Sequence, residues 1–256
     1  MHNLRETDGF ALTERILDEI SPDLDAVYLC NPNNPTGRTA QPELLREIVR
    51  KCTENGVKPV MDECFNDFLE NAAQHTLKDL LESDPGLIIL RAYTKMYAVP
   101  GVRFGWCMTA DAALIEKLYH AGQPWNVSVI AQACAVAAAN EPDWAAETAK
   151  RIAEERRFLS NGLAACGLTV FPGEANFLLF RSNDTGLHKK LAEHGIMIRN
   201  CDNYRGLSAG YYRVAVKTRE ASKCLLNAIK LIIEMDNGER RYALCADLTA
   251  PRAQGQ

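Results

Sequence analysis

The chain has 256 residues, of which 47% are hydrophobic, and a net charge of −4 at pH 7. That is enough apolar material for a sizeable core, in one large domain or in a large and a small one. The charges interleave and leave no basic stripe to track a nucleic-acid backbone or an anionic membrane, so small metabolites are the expected partners. The nine cysteines are odd in number, scattered and never in a C-x-x-C arrangement. This argues against a disulfide framework or a zinc site, and for reduced thiols in a cytoplasmic protein. Residues 1–10 hold Arg5, Glu6 and Asp8 where a signal peptide has its apolar run, so none is expected. The uncharged stretch 121–140 has spanning length, but Gln123, Pro124, Asn126, Ser128 and Gln132 interrupt it. It reads as a buried helix entered through a Pro-Trp turn.

In chain order, short β-branched or apolar runs predict strands over 26–30, 57–61 and 87–90, and helical patterns fall at 42–55 and 77–82. A further strand is expected over 103–108 and a helix over 112–121. This alternation implies crossover connections and a largely parallel sheet covered by helices. A long amphipathic helix follows over 142–166, with Ile152, Leu159 and Leu163 along one face and Gly167 at its stop. The pattern then restarts with strands at 168–171, 176–180, 196–199 and 211–216 and helices at 187–194 and 220–234. The expected organisation is a large domain over 1–141, a connecting helix and small C-terminal domain over 142–236, and a disordered tail over 237–256.

Three segments carry chemistry. Asn31-Pro32-Asn33-Asn34-Pro35-Thr36-Gly37 follows a strand and by composition is a turn, which can instead present the Asn34 amide to a ligand at a strand's carboxyl end. Asp62 closes the apolar run of the 57–61 strand; it reads as a helix cap, an ion-pair partner, or a carboxylate facing a cationic ring. Lys95 follows the 87–90 strand among Tyr93, Thr94, Tyr97 and Val99, and the Pro100-Gly101 turn brings Arg103 back towards it. A lysine is ordinarily a solvated surface charge, but in this setting partial desolvation would free its amine for Schiff-base chemistry. Arg103 would then supply a bidentate grip on a phosphate, with the Thr94 hydroxyl as a second donor.

Taken together and in this order, the segments resemble the class I and II aminotransferase superfamily of fold-type I, pyridoxal phosphate-dependent enzymes. They are most similar to the branch that holds histidinol-phosphate aminotransferases and threonine-phosphate decarboxylases. The resemblance implies an α/β fold of the PLP-dependent transferase type, here an incomplete large domain with a mostly parallel sheet plus a small C-terminal α/β domain. It implies pyridoxal 5′-phosphate as cofactor, with Asn34 on the ring oxygen, Asp62 on the pyridinium nitrogen, Lys95 on the aldehyde, and Arg103 on the phosphate. Arg213 falls where the family binds the substrate α-carboxylate, and Asn176 lies in a strand that lines the same site. A homodimer acting on a phosphorylated amino acid or amine is also implied.

Within the branch, the segments around Tyr97, Gln123-Pro124-Trp125 and 198–207 look more like the decarboxylase. That activity would convert O-phospho-L-threonine into aminopropanol phosphate for the cobalamin side chain. A histidinol-phosphate-type aminotransferase is the alternative, and an inactive truncated homologue is a third. Two departures accompany the resemblance. Phe65 stands where the family often has a tyrosine that donates to the ring oxygen. The glycine-rich helix start and the ring-stacking aromatic that precede the Asn-Pro turn in the family are not found here.

Overall fold

The computed structural model describes residues 1–141 and 143–249, with side chains described to residue 236. Its first sheet joins β1 (Ala26–Cys30), β2 (Lys58–Asp62), β3 (Ile88–Ala92) and β4 (Gly105–Met108) in that order. The first three strands are parallel and β4 returns antiparallel to β3. Parallel neighbours need crossovers, and α1 (Pro42–Glu54) supplies the first of them. Pro42 opens α1, where its missing N–H costs nothing, and Leu44, Leu45, Ile48, Val49 and Cys52 recur at helical spacing on its buried face. They pack with Val57, Met61, Leu87 and Ile89 in one core. Each fully buried aliphatic side chain there contributes about 1.5–3 kcal/mol.

Between β2 and β4 the chain forms two single-turn helices, α2 (Ala72–His75) and α3 (Tyr93–Met96). After β4 come α4 (Ala112–Ala121), capped by the Asp111 side chain, and α5 (Val129–Ala139), capped by Ser128. The long α6 (Trp144–Ala165) turns Ala149, Ala153, Arg156, Leu159 and Leu163 inward. It leads into a second sheet of β5 (Thr169–Val170), β6 (Phe177–Arg181), β7 (Arg199–Asn200) and β8 (Tyr211–Ala215), ordered β5-β6-β8-β7 and antiparallel throughout. Helices α7 (Leu187–Glu193) and α8 (Arg219–Thr249) cover it. Leu178 and Phe180 of β6 meet Leu159, Leu163, Leu191 and Ile229 on one face of this sheet. On the other face Leu179 meets Phe10, Phe171 and Tyr211, so residues near the N-terminus help to bury the second sheet.

Most expected elements stand within a residue or two of their positions, with five differences, one being the strand expected over 196–199, which forms only at Arg199–Asn200. The helix expected over 77–82 is only a 3-10 turn at Lys78–Leu80, a segment too short to offset the cost of helix nucleation before Pro85-Gly86. The strand expected from 103 starts at Gly105, since Arg103 adopts a left-handed conformation (φ 58°). The helix within 121–140 is exposed, with only Ala131 and Ala138 buried. Trp125, Val129, Ile130 and Val136 face solvent among the described residues. An alanine-rich run has the composition of a buried helix with no strongly apolar stripe, and composition does not say whether a partner surface exists. The expected tail falls partly on α8, which continues to Thr249, and partly outside the described residues. Among the described residues no helix is long and apolar enough to cross a membrane.

Candidate active site

Parallel strands deliver their carboxyl ends to one edge of the sheet, and β1, β2 and β3 each end there in a segment that carries chemistry. The turn after β1 is held by its own side chains. Asn31 donates to the His75 carbonyl at 3.1 Å and accepts from the Ala40 N–H at 2.9 Å, and Asn33 donates to the Thr36 hydroxyl at 2.9 Å. Gly37 closes the turn with φ +74°. Its carbonyl accepts from the Glu174 and Ala175 N–H groups, at 2.7 and 3.3 Å, which ties the turn to the start of β6. A Cβ at Gly37 would meet the Phe177 carbonyl oxygen at 3.2 Å in a backbone conformation that side chains rarely adopt. Gly37→Ala is therefore expected to cost about 1–3 kcal/mol, read as a lowered midpoint in denaturant unfolding.

From that turn the half-buried Asn34 extends across to the second sheet, where the Arg213 guanidinium donates to its side-chain oxygen. Arg213 in turn lies over the Phe177 ring, 5.1 Å from its centroid. Phe177 meets Phe65 edge to face at 5.2 Å, and the Lys95 ammonium stands 5.7 Å from the Phe65 centroid. Asn34, Arg213 and Lys95 are thus joined around a wall of two phenylalanines. Asp62 lies at the end of β2, paired in register with Cys30 at the end of β1. Its carboxylate accepts from the Cys64 N–H at 3.0 Å and from the Cys30 thiol at 3.7 Å.

Two expectations need correction. Lys95 is exposed among the described residues, where a desolvated amine was expected, because the short helix α3 turns it away from the buried Thr94 and Met96 that flank it. Its closeness to the Phe65 ring keeps it on the side of the site. Arg103 does not join the others: the left-handed turn folds its exposed guanidinium back onto the Pro100 carbonyl at 2.9 Å. Thr94 is buried, and Asn176 holds β8 through its carbonyl, which accepts from the Val216 N–H at 2.8 Å.

Sequence reasoning overlooked three contributors. Phe177 was visible only as the neighbour of Asn176. Arg91 and Glu63 form a buried pair at 2.7 Å, with Asp67 and Thr76 also on the Arg91 guanidinium, and this network fixes the 62–68 segment. A lone arginine inside an apolar strand was the signal available for it. Arg156, in the middle of α6, donates to the Glu174 and Ala175 carbonyls at 2.7 and 3.2 Å and so holds the approach to β6. Burial lowers the pKa of its guanidinium from the usual value.

The donor set suits the ring end of pyridoxal phosphate: an amine, a carboxylate and an amide lie around an aromatic wall. The Asn176 side-chain oxygen is buried with no hydrogen-bond partner, an acceptor left for a ligand donor. The phosphate end is less complete, since Arg103 is engaged with its own turn.

Comparison with known proteins identifies the family. The family described as "Aminotransferase class I and II" matches residues 6–229. Threonine-phosphate decarboxylase of Salmonella typhimurium is 37% identical over 236 residues, covering 90% of this chain and 64% of that protein. Histidinol-phosphate aminotransferase 2 of Archaeoglobus fulgidus is 32% identical, covering 88% of this chain and 63% of that protein. In structure, the histidinol-phosphate aminotransferase from Clostridium acetobutylicum superposes with a TM-score of 0.80 at 29% identity, covering 86% of this chain and 66% of that one. The chain thus spans under two thirds of the length of the curated relatives it matches. Motifs, strand-end geometry and these likenesses agree that the chain belongs to the class I and II aminotransferases, fold-type I enzymes that depend on pyridoxal phosphate.

Proposed function

We propose that this chain carries the catalytic face of a pyridoxal phosphate enzyme that decarboxylates O-phospho-L-threonine to aminopropanol phosphate. The observation that carries the reading is the bond between Asn34 and Arg213. It sets a residue suited to the cofactor ring against one suited to the substrate carboxylate, so that the two ligands would meet at one place. The lean towards the decarboxylase is supported by the 37% identity with threonine-phosphate decarboxylase, against 32% with the Archaeoglobus aminotransferase.

When bound, pyridoxal phosphate supplies a cationic ring that draws electrons from the substrate Cα. In the proposed mechanism Asp62 keeps the ring nitrogen protonated. Asn34 donates its amide N–H to the ring oxygen while Arg213 holds the other end of that amide. Phe65 has no hydroxyl, so the second donor common in the family is absent and ring-oxygen contact rests on Asn34. Arg213 orients the substrate carboxylate through its remaining N–H groups, and Asn176 offers its unpaired oxygen to a substrate donor. The Lys95 amine would hold the cofactor aldehyde and deliver a proton to Cα in place of the carboxylate that leaves as carbon dioxide. Arg103 and Thr94 are assigned to the phosphate, which requires Arg103 to leave the Pro100 carbonyl.

The same residues serve transamination, the second reading, which the Clostridium and Archaeoglobus likenesses favour. A third reading is an inactive homologue. Incubation of the purified chain with pyridoxal phosphate and O-phospho-L-threonine is expected to release carbon dioxide and aminopropanol phosphate. Conversion of the cofactor to its amine form by histidinol phosphate, without carbon dioxide, would instead establish the transaminase. Neither product, with no visible absorbance band from bound cofactor, would mark the inactive homologue. The reading includes a reducing, cytoplasmic setting, in keeping with the eight free cysteines among the described residues. It also includes a homodimer, for which exposed Trp125, Val129 and Ile130 offer apolar surface.

A further inference from the structure

Residues 171–176 join β5 to β6 without regular secondary structure, and this connection touches both halves of the site. On one side it meets the Asn-Pro turn. The Glu174 and Ala175 N–H groups both donate to the Gly37 carbonyl, and Gly173 lies so close to the turn that a Cβ there would stand 2.8 Å from the Thr36 carbonyl oxygen. On the other side the carbonyls of Glu174 and Ala175 accept from Arg156, both from the single nitrogen Nη1. The Arg156 side chain is 9% exposed, and the carboxylate paired with it, Glu70 at 3.8 Å, is half exposed. A guanidinium withdrawn from water is thus directed at two main-chain oxygens that a neutral donor would also satisfy.

We propose that Arg156 is a positioning residue, which sets the substrate side of the site against the cofactor side by fixing the two peptide units that lead into Asn176 and Phe177. The inference rests on the functional reading above and deepens it. Asn176 carries the buried side-chain oxygen that has no partner, and Phe177 is the ring over which the Arg213 guanidinium lies. A shift of the Glu174 and Ala175 peptide units therefore moves both groups assigned to the substrate. The turn that carries Asn34 has anchors that do not involve Arg156, since Asn31 bonds to His75 and Ala40 and Asn33 bonds to Thr36. Asp62 and Lys95 are carried by β2 and α3. Loss of Arg156 thus falls on substrate geometry and leaves the cofactor donors in place.

The test loads the full chain with pyridoxal phosphate and then titrates the visible absorbance band of the bound cofactor with O-phospho-L-threonine. Arg156→Met keeps an unbranched stem and removes the donor. It is expected to weaken O-phospho-L-threonine binding about tenfold, since small displacements of binding groups carry large losses. Pyridoxal phosphate binding is expected to stay within about twofold, because its donors are anchored independently. Arg156→Lys keeps a charged nitrogen with donors for both carbonyls, and is expected to return substrate affinity to within about threefold of the original chain. Thermal unfolding of all forms without cofactor separates positioning from packing. If Arg156→Met does not fold, Arg156→Gln, which keeps an amide donor, carries the same comparison. The inference is overturned if cofactor and substrate affinity fall together, if substrate affinity is unchanged in the methionine or glutamine form, or if lysine restores nothing at equal thermal stability. A Lys95-dependent band that is missing from the unsubstituted chain, or that does not respond to O-phospho-L-threonine, would overturn the functional reading, and this inference with it.

Discussion

Lys95→Ala is expected to abolish the visible absorbance band of bound pyridoxal phosphate and to lower turnover by about 10⁴-fold, the upper end of what one positioned proton-transfer group contributes. The expectation follows from placement. Lys95 is the residue of α3 whose amine reaches the Phe65 ring, while Thr94 and Met96 on either side are buried. Because the residue is exposed, its removal leaves no cavity and no orphaned charge, so the unfolding midpoint is expected to stay within the small range of surface substitutions. A spectral loss at unchanged stability would assign the amine to the cofactor. A band that survives in Lys95→Ala would show that another amine takes this role.

The largest effect on stability is expected at Glu63. Its side chain and that of Arg91 are 1% and 5% exposed, and the pair is closed at 2.7 Å with Thr76 also on the carboxylate. Glu63 further accepts the Leu77 N–H. Glu63→Ala would leave the Arg91 guanidinium buried with one carboxylate, Asp67, and would strand the Leu77 N–H. Breaking a buried pair in this way costs about 3–5 kcal/mol. The double change Glu63→Leu with Arg91→Met removes both charges together and is expected to recover much of that loss, since Asp67 is partly exposed and can return to water. Chemical denaturation of the three forms measures the difference. Equal losses in the single and double variants would mean that shape, and not charge, sustains the 62–68 segment.

Much of this was legible along the chain. The apolar runs that became β1, β2 and β3, and the helical spacing of α1 and α4, are local patterns that depend on side chains close in sequence. The order of the Asn-Pro turn, Asp62 and Lys95 was legible for a related reason. In a parallel sheet every strand brings its carboxyl end to the same edge, so residues that close consecutive strands meet without further information. The exposure of α5 was not legible, because burial depends on a partner surface that composition does not specify. The short 77–82 segment was misread because six residues at helical spacing make too few intrahelical bonds to offset the cost of nucleation.

By itself the sequence determined the family, the order of the strands and helices, and the residue types available for an amine, a carboxylate and an amide at one sheet edge. These follow from periodicity and from groups whose chemistry does not depend on distant neighbours. Only the tertiary structure decided that Arg213 reaches Asn34, that Phe65 and Phe177 form the wall between the sheets, that Arg103 turns back on Pro100, and that Cys30 meets Asp62. Each is a contact set by the docking of separate elements or by one backbone angle. Such contacts act over a few ångströms between residues that can be far apart along the chain.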